Sequence, residues 1–399
     1  MSEATTTELA TEKRKLNINA RDYGLLGALL VIVALFQFWF TDGKLLSGGN
    51  PNFLISQNAY VVILAIGMVM VIIAGHIDLS VGSLVAMIGA VVALAMNEWG
   101  FPVWLAIATA LLLGAVVGAW QGFWVAFVRV PAFIVTLSGM LIFRGLAIVF
   151  LTGGTEGGLP KGFNDIANGW VPGWLGKAND LDILTLVFGA VAVIAFVFGQ
   201  LRTRIKLAAR DLPRENLAVF IPKAVLTAAA ILYVAYLLAN YRGTPYVLFL
   251  LGVLVLAYTF VLNRTVFGRH IYAMGGNRFA AVMSGVKTKW VDFFIFVNIG
   301  VLAAVAAIVT TARAGAAVSS AGNFYELDAI ASVFIGGAAV QGGVGKISGA
   351  VIGALVMGVL NQGLSIAGVD SAWQQVIKGL VLLAAVAFDV MNRRRSGAA

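Results

Sequence analysis

Residues 53–74 read FLISQNAYVVILAIGMVMVIIA, a run of 22 residues without an acidic or basic side chain. A helix that spans the hydrocarbon core of a bilayer needs roughly 20 mostly apolar residues. The run therefore predicts a transmembrane helix. It leads directly into Gly75-His-Ile-Asp-Leu-Ser-Val-Gly-Ser83, where glycine and polar residues predict that the helical path is interrupted.

Apolar segments recur along the whole chain, near 24–40, 81–97, 103–125, 131–151, 183–200, 224–239, 246–262, 291–311, 328–341, 346–366 and 373–391. Together with 53–74 they predict an all-α polytopic membrane protein of about ten to twelve transmembrane helices. The stretches 53–97 and 328–366 are rich in glycine and polar residues, so we expect broken or re-entrant helices there. We expect one transmembrane domain at 23–392, with polar tails at 1–22 and 393–399.

The composition excludes several classes of protein. Hydrophobic residues make up 60% of the 399-residue chain and charged residues only 11%, against about 25% charged in a soluble domain. Cysteine is absent and there are two histidines, so disulfides, thiolate sites and a histidine-based zinc site are not expected.

The basic residues predict an orientation in the membrane. If the N-terminus lies in the cytoplasm, twenty of the 27 Lys and Arg residues fall on the cytoplasmic side and five on the outer side. Short cytoplasmic loops carry an excess of Lys and Arg, so both termini are expected in the cytoplasm. The same rule attributes the net charge of +9 to these loops rather than to nucleic-acid binding.

One glycine-rich stretch imitates a nucleotide site. Gly342-Gly-Val-Gly-Lys346 resembles a phosphate-binding loop, but Val340 occupies the position of the first required glycine and Ile347 that of the Ser or Thr. The stretch also lies between apolar helices and not after a strand. We therefore expect that any ATP used by this protein is hydrolysed by another chain.

The loop at 263–290 has five basic residues and no acidic one. Asn277 is placed to cap a short helix that ends before Gly285, and Ala280, Ala281 and Ser284 would give that helix a nearly smooth face. Such a helix suits docking into the groove of a partner. From composition alone, an ordinary positive loop is the other interpretation.

This loop also carries a resemblance to a known family. Gly275-Gly-Asn-xx-Ala-Ala-xx-Ser-Gly285 resembles the coupling-helix motif of bacterial ATP-binding-cassette sugar permeases of the ribose/xylose type. Five further stretches resemble the family: Gly75 to Ser83, Val130-Pro-Ala-Phe-Ile-Val-Thr-Leu-Ser-Gly-Met140, Gly268-Arg-His-Ile-Tyr-Ala-Met-Gly275, Glu326-Leu-Asp-Ala-Ile-Ala-Ser332 and Gly336-Gly-Ala-Ala-Val-Gln-Gly-Gly-Val-Gly345. The length and the extra segment at about 155–245 are most similar to xylose and multiple-monosaccharide permease subunits.

The resemblance implies a permease subunit that imports a monosaccharide, xylose or a related pentose or hexose, across the bacterial inner membrane. It implies a second permease copy, ATPase subunits that use ATP and Mg²⁺, and a periplasmic sugar-binding protein, with no cofactor bound by this chain. The residues implied to couple to the ATPase are Gly275, Gly276, Asn277, Ala280, Ala281, Ser284 and Gly285. Gln121 stands where the family is expected to have Asn, which leaves the exact sugar open.

Polar residues within apolar segments are candidates for the translocation pathway or a gate, because charges in a membrane usually face the interior of the bundle or water. The candidates are Asp78, Ser80, Ser83, Phe133, Arg144 and Asn361. Asp78 could equally cap the helix that follows it. Arg144 is expected to pair with a buried carboxylate or to hold a broken helix together.

Two other polar residues are expected at the membrane surface, Asp328 as a cap or an outer residue and Lys378 by extending its ammonium group to the interface. A weak internal repeat places Asp78 to Ser83 and Asp328 to Gly336 in corresponding positions. From the alternation of loops, the two copies would enter the membrane from opposite sides, as in an inverted repeat.

Two other functions remain open at this point. A proton-coupled secondary sugar transporter could use Asp78 or Arg144 for proton coupling, although it would not need a docking loop. An integral-membrane enzyme is disfavoured, because no nucleophile–base pair and no metal-ligand cluster is apparent.

Overall fold

The computed structural model describes residues 20–210, 212 and 216–395, so most of the predicted N-terminal tail and the last four residues lie outside it. The helices are α1 (Ala20–Leu35), α2 (Asn50–Gln57), α3 (Ala59–Ile73), α4 (Val81–Asn97), α5 (Val103–Phe123), α6 (Ala132–Phe150), α7 (Lys161–Asn168), α8 (Ile183–Ala208), α9 (Leu217–Ala239), α10 (Tyr246–Arg264), α11 (Val266–Gly276), α12 (Arg278–Met283), α13 (Thr288–Ala314), α14 (Tyr325–Ile335), α15 (Ile347–Ile366) and α16 (Ser371–Arg395).

The four strands are very short: β1 (Thr155–Gly157), β2 (Lys177–Ala178), β3 (Leu181–Asp182) and β4 (Ala316–Val318). Antiparallel pairing joins β1 to β4 with Glu156 opposite Ala317, and β2 to β3. Two π-helical turns, Phe36–Phe40 and Trp124–Val128, extend α1 and α5.

Within the described residues, eight helical stretches are long and apolar enough to cross a membrane: Asn50–Ile73, Val103–Val128, Ala132–Phe150, Ile183–Ala208, Leu217–Ala239, Tyr246–Arg264, Thr288–Ala314 and Ile347–Ile366. Three shorter apolar helices are Gly24–Phe40, Val81–Asn97 and Ser371–Ala387. The chain is therefore an all-α polytopic membrane protein, as predicted. We call the end of the bundle that carries residues 202–210 and 264–289 the basic end.

The centre of the bundle is α3. Every residue from Ala59 to Ile73 is buried, so this helix is apolar on all sides and contacts protein rather than lipid. Its neighbours are mainly α13, α14 and α15. A helix that is hydrophobic all round belongs in such an interior position.

Helices α4 and α14 both begin inside the bundle. Residues 74–80 lead from α3 into α4, and residues 315–324 lead from α13 into α14. The two starts touch, since a Cβ on Gly82 would lie only 2.2 Å from the carbonyl oxygen of Gly322. Only glycine allows the two backbones to approach this closely.

The two interrupted helices leave this crossing toward opposite ends. At the end of α4, Asn97 donates to the carbonyl of Gly157 in β1, 2.9 Å away. The end of α14 leads into residues 336–346, where the backbone packs against Gly275 at the basic end. The two motifs of the internal repeat therefore run in opposite directions, as the sequence predicts.

The hairpin of α8 and α9 stands apart from this core. In the apolar part of α8 only 11% of the residues are buried inside the protein, and in the apolar part of α9 none are. Its anchor lies opposite the basic end, where the Oγ1 atoms of Thr185 and Thr244 are 2.9 Å apart and Phe188 packs edge-on against Phe249. The hairpin therefore adjoins the rest of the bundle mostly at one end.

Candidate functional site

The first candidate site surrounds the start of α4. Asp78 and Ser80 are fully buried, and one Asp78 carboxylate oxygen accepts from the Ser80 N–H (2.8 Å) and from the Ser80 hydroxyl (2.7 Å). Gln121 of α5 donates to the same hydroxyl at 2.7 Å. Asp78 thus closes a turn of the Asx type ahead of α4 and ties it to α5.

Arg144 of α6 holds the other interrupted segment. Its Nη1 donates to the backbone carbonyls of Ser319 (2.8 Å) and Ala321 (2.7 Å), which precede α14. Carbonyls in a non-helical stretch within the membrane need a donor, since lipid cannot provide one. Arg144 therefore has the structural role expected from the sequence, and Glu326 in the first turn of α14 is close enough to interact with its charge.

The second cluster surrounds Asp328 and joins four helices. One Asp328 oxygen accepts from the Tyr60 hydroxyl (2.7 Å), from Asn361 (3.3 Å) and from the Lys378 ammonium (3.2 Å). Tyr60 also stacks on Tyr325, with ring centroids 3.5 Å apart. The other oxygen of Asp328 is buried without a hydrogen-bond partner, and Asp328 is among the residues that line a cavity of about 230 Å³ between α14, α15 and α16.

This cluster corrects two expectations. Asp328 is only 1% exposed, so it is neither a surface residue nor an outer contact, and Lys378 pairs with it instead of extending to the interface. The reason is that α14 starts inside the bundle, so its first turn lies at depth. The apolar segment 328–341 looked like a full span in the sequence, which placed its first residues at the surface.

The remaining pathway candidates are dispersed. Ser83 is buried in α4, and Asn361 joins the Asp328 cluster. Phe133 is 56% exposed in the first turn of α6, and its carbonyl accepts from the Thr136 hydroxyl, which also donates to the Ile77 carbonyl.

At the basic end, the predicted short helix is present as α12. The Asn277 side chain accepts from the Ala280 N–H at 2.9 Å, which caps the helix at its start. Gly285, with φ of +83°, reverses the chain just after it. Gly276, Asn277 and Ser284 are exposed around it.

The face that α12 presents differs from the expected one. Ala281 is 4% exposed and points into the bundle, so it does not belong to a docking face. The outer face consists of Ala280 together with Phe279 (74% exposed), Val282 and Met283. Ala281 lies about 100° from Ala280 around the helix axis, and α12 contacts the bundle on the side of Ala281, so only Ala280 of the two faces outward.

The end of α11 packs closely against the bundle, and the close approach depends on Gly275. A Cβ on Gly275 would lie 1.7 Å from the carbonyl oxygen of Ile73 and 2.4 Å from the N–H of Gly343. The Gly343 N–H donates to that carbonyl at 2.8 Å, and Tyr272 donates to the Gly345 carbonyl at 2.6 Å. Burial raises the pKa of the Tyr272 hydroxyl, which keeps it a donor. The stretch that imitates a phosphate loop is thus engaged in backbone packing.

A charged network that the sequence analysis did not identify connects α12 to the start of α4. Asp292 of α13 is fully buried and binds Arg278 of α12 in a two-pronged ion pair, while its Oδ1 lies 2.9 Å from His76 Nε2. His76 stands two residues before Asp78. The signal was present in the sequence, because an acidic residue within the apolar region beginning at Thr288 needs a partner.

Comparisons with known proteins agree along almost the entire chain. The family model described as "Branched-chain amino acid transport system / permease component" matches residues 50–386. The xylose transport system permease protein XylH of Escherichia coli (strain K12) is 40% identical over 380 residues, 95% of this chain and 94% of that protein. No solved structure matches the chain.

Two further relatives cover similar lengths. XylH of Haemophilus influenzae (strain ATCC 51907 / DSM 11121 / KW20 / Rd) is 41% identical over 382 residues, 95% of this chain and 98% of that protein. The ribose import permease protein RbsC of Escherichia coli (strain K12) is 34% identical over 368 residues, 91% of each chain.

Replacement of Lys378 by Met should destabilise the chain, by up to about 3 kcal/mol, because it leaves the buried Asp328 carboxylate without its countercharge. The double variant Lys378→Met with Asp328→Asn should recover part of the loss, since the asparagine oxygen still accepts from Tyr60. Thermal unfolding of the purified chain in detergent measures both. Lys289→Met, at an exposed position, is the matched control, and a single variant as stable as that control would refute the pairing.

Proposed function

The chain belongs to the family of branched-chain amino acid transport system permease components, and from this membership we infer that it is the transmembrane permease subunit of an ATP-binding-cassette monosaccharide importer. The observation that carries the inference is the 40% identity to XylH over 95% of the chain. The substrate that we propose is xylose, because the XylH relatives are more similar to this chain than RbsC is. The bacterial inner membrane is its location.

The proposal includes partners. The backbone of residues 342–346 packs against Ile73 and Gly275, and this favours ATP and Mg²⁺ binding by a separate ATPase subunit rather than by this chain. A sugar-binding protein delivers the substrate from the periplasm, and a second permease copy completes the pathway. The chain itself binds no cofactor and makes no covalent change to the sugar, so it is a transporter subunit and not an enzyme.

The basic end faces the cytoplasm in this proposal, and both termini lie on that side. The support is the positive-inside rule, applied to exposed basic residues such as Arg202, Arg210 and Arg269. The crossing of α4 and α14 would then lie between the two faces of the membrane, with α14 leading from it toward the cytoplasm.

The ATPase docks on α12. The support is the exposed position of two large apolar side chains, Phe279 and Met283, on a short helix that lies outside the membrane spans. Apolar residues gathered at a water-facing surface are typical of a contact with another protein. An ordinary charged loop would not need a capped helix with such a face.

Motion of α12 reaches the pathway through Asp292. Arg278 moves with α12, His76 moves with residues 74–80, and the buried Asp292 binds both. From His76 the chain continues to Asp78 and Ser80, which position the start of α4. Closure of the ATPases would thus shift the crossing of the two half-helices, and this crossing acts as the gate.

Uptake into proteoliposomes tests the function. Xylose should accumulate only when ATP, the partner ATPase and the binding protein are all supplied, and uptake should persist when the proton gradient is collapsed. Ribose and glucose serve as competitors to identify the preferred sugar. Uptake by this chain alone, abolished with the gradient, would mean that the chain is a proton-coupled secondary transporter.

The docking proposal predicts the effect of Ala280→Glu. A charge in the middle of the apolar face should weaken binding of the ATPase subunit at least tenfold, because the carboxylate would be buried in the contact without a partner. Ala218→Glu, at another exposed position of the basic end, is the matched control. Co-purification of the ATPase measures the effect. Equal recovery with both variants would exclude α12 as the docking helix.

The coupling proposal predicts a different phenotype for Asp292→Asn. The ATPase should still bind and hydrolyse ATP, while xylose uptake should fall at least tenfold, since the link between Arg278 and His76 loses its charge. Asp370→Asn, exposed at the opposite end, should transport normally. Uptake and hydrolysis are measured on the same vesicles. Asp292→Asn vesicles with uptake close to that of the wild type would show that Asp292 only stabilises the fold.

A further inference from the structure

A cavity of about 380 Å³ opens between α8 and α10 at the basic end. Four cationic residues line it, together with Thr203, Leu207 and Leu212: Arg202 and Lys206 in the last turns of α8, Arg210 just after α8, and Arg264 at the end of α10. Among the residues that the structure describes, no carboxylate belongs to this lining. Within the described part of the chain, none of the four cations forms an ion pair.

The cations lie at the depth of lipid headgroups. Helix α8 has 26 residues, which is about 39 Å of helix, whereas the hydrocarbon core of a bilayer is about 30 Å thick. If α8 enters the core at Ile183, it leaves it near Arg202, and the next turns pass through the headgroup layer. Arg264 is the last residue of α10, a helix whose 19 residues just span the core.

The cavity lies where, among the described residues, α8 and the α10 region are not held together by side-chain contacts of the kind seen at their other ends. At the opposite end, α8 and α10 are joined by the Phe188–Phe249 ring contact and by Thr185 with Thr244. At the basic end, the cavity separates the two helices. A group that fills it would complete the packing of the α8–α9 hairpin against the rest of the bundle.

We propose that this cavity binds the phosphate group of an anionic phospholipid. Guanidinium groups bind phosphate oxygens through paired N–H donors, and four neighbouring cations that pair with no described carboxylate attract an anion. Basic pockets between transmembrane helices at the headgroup level are suited to anionic lipids.

The adjoining surfaces accommodate the acyl chains. On α8, Ile194 and Phe198 are 66% and 64% exposed, and on α10, Phe260 is 63% exposed. These side chains continue from the cavity toward the middle of the membrane. A free phosphate ion would satisfy the cations but would leave this apolar surface unused, so the lipid is the better match.

The bound lipid connects two parts of the fold. Its headgroup contacts α8 and α10 together, and the hairpin thereby acquires an attachment at the basic end in addition to the one near Thr185. Anionic lipid should therefore raise the thermal stability of the chain, whereas a zwitterionic lipid of the same chain length should not.

The test is native mass spectrometry of the full chain titrated with phosphatidylglycerol or phosphatidylcholine. Wild-type protein should retain phosphatidylglycerol selectively, and Lys206→Gln with Arg264→Gln should weaken its binding at least tenfold. Arg269→Gln with Lys289→Gln removes the same charge at exposed positions outside the cavity and should change the affinity less than twofold. Thermal unfolding with each lipid gives an independent readout, in which only the cavity variant loses the stabilisation.

Three outcomes would overturn the proposal. Equal affinity of the two double variants for phosphatidylglycerol would mean that general charge, and not the cavity, attracts the lipid. If inorganic phosphate at millimolar concentration binds to the cavity and phosphatidylglycerol binds no more tightly, the site takes free phosphate. Loss of ATPase binding in the cavity variant, with lipid binding unchanged, would assign the cavity to the protein partner.

Discussion

Interrupted helices inside a membrane must satisfy their free backbone groups with protein, and the architecture of this chain follows from that constraint. The Ile73 carbonyl at the end of α3 accepts from Gly343, and the Ser319 and Ala321 carbonyls accept from Arg144. These contacts allow α4 and α14 to begin at depth and to touch at Gly82. An uninterrupted bundle of the same helices would have no such crossing and no polar clusters beside it.

The proposed coupling region at the basic end also depends on close backbone contacts. Gly275 brings α11 into contact with the backbone at Ile73, so the helix pair α11 and α12 rests on the very turn where α3 ends. Asp292 adds a fully buried charge that binds both α12 and the segment leading to Asp78. The proposed docking surface on α12 and the crossing are therefore connected through direct side-chain and backbone contacts.

Hydropathy was sufficient to predict the fold class and nearly all of the apolar helices, because the thickness of a bilayer sets a length that the sequence displays directly. The cap at Asn277 and the structural role of Arg144 were also predictable from local chemistry. What hydropathy could not predict is depth. A half-helix and a full span have the same composition, so Asp328 appeared to lie at the surface, and Ala281 appeared exposed because no periodic pattern marks the inner face of a six-residue helix.

The complete burial of α3 has a consequence for how the chain is made. The ribosome synthesises α3 early, but most of the helices that enclose it, α13 to α15, belong to the last third of the chain. During translation α3 must therefore remain in contact with lipid or with the insertion machinery until those helices arrive. Because the surface of α3 is uncharged and strongly apolar, the helix is stable in contact with lipid during this interval. The helices of the bundle then pack together largely after they have been inserted.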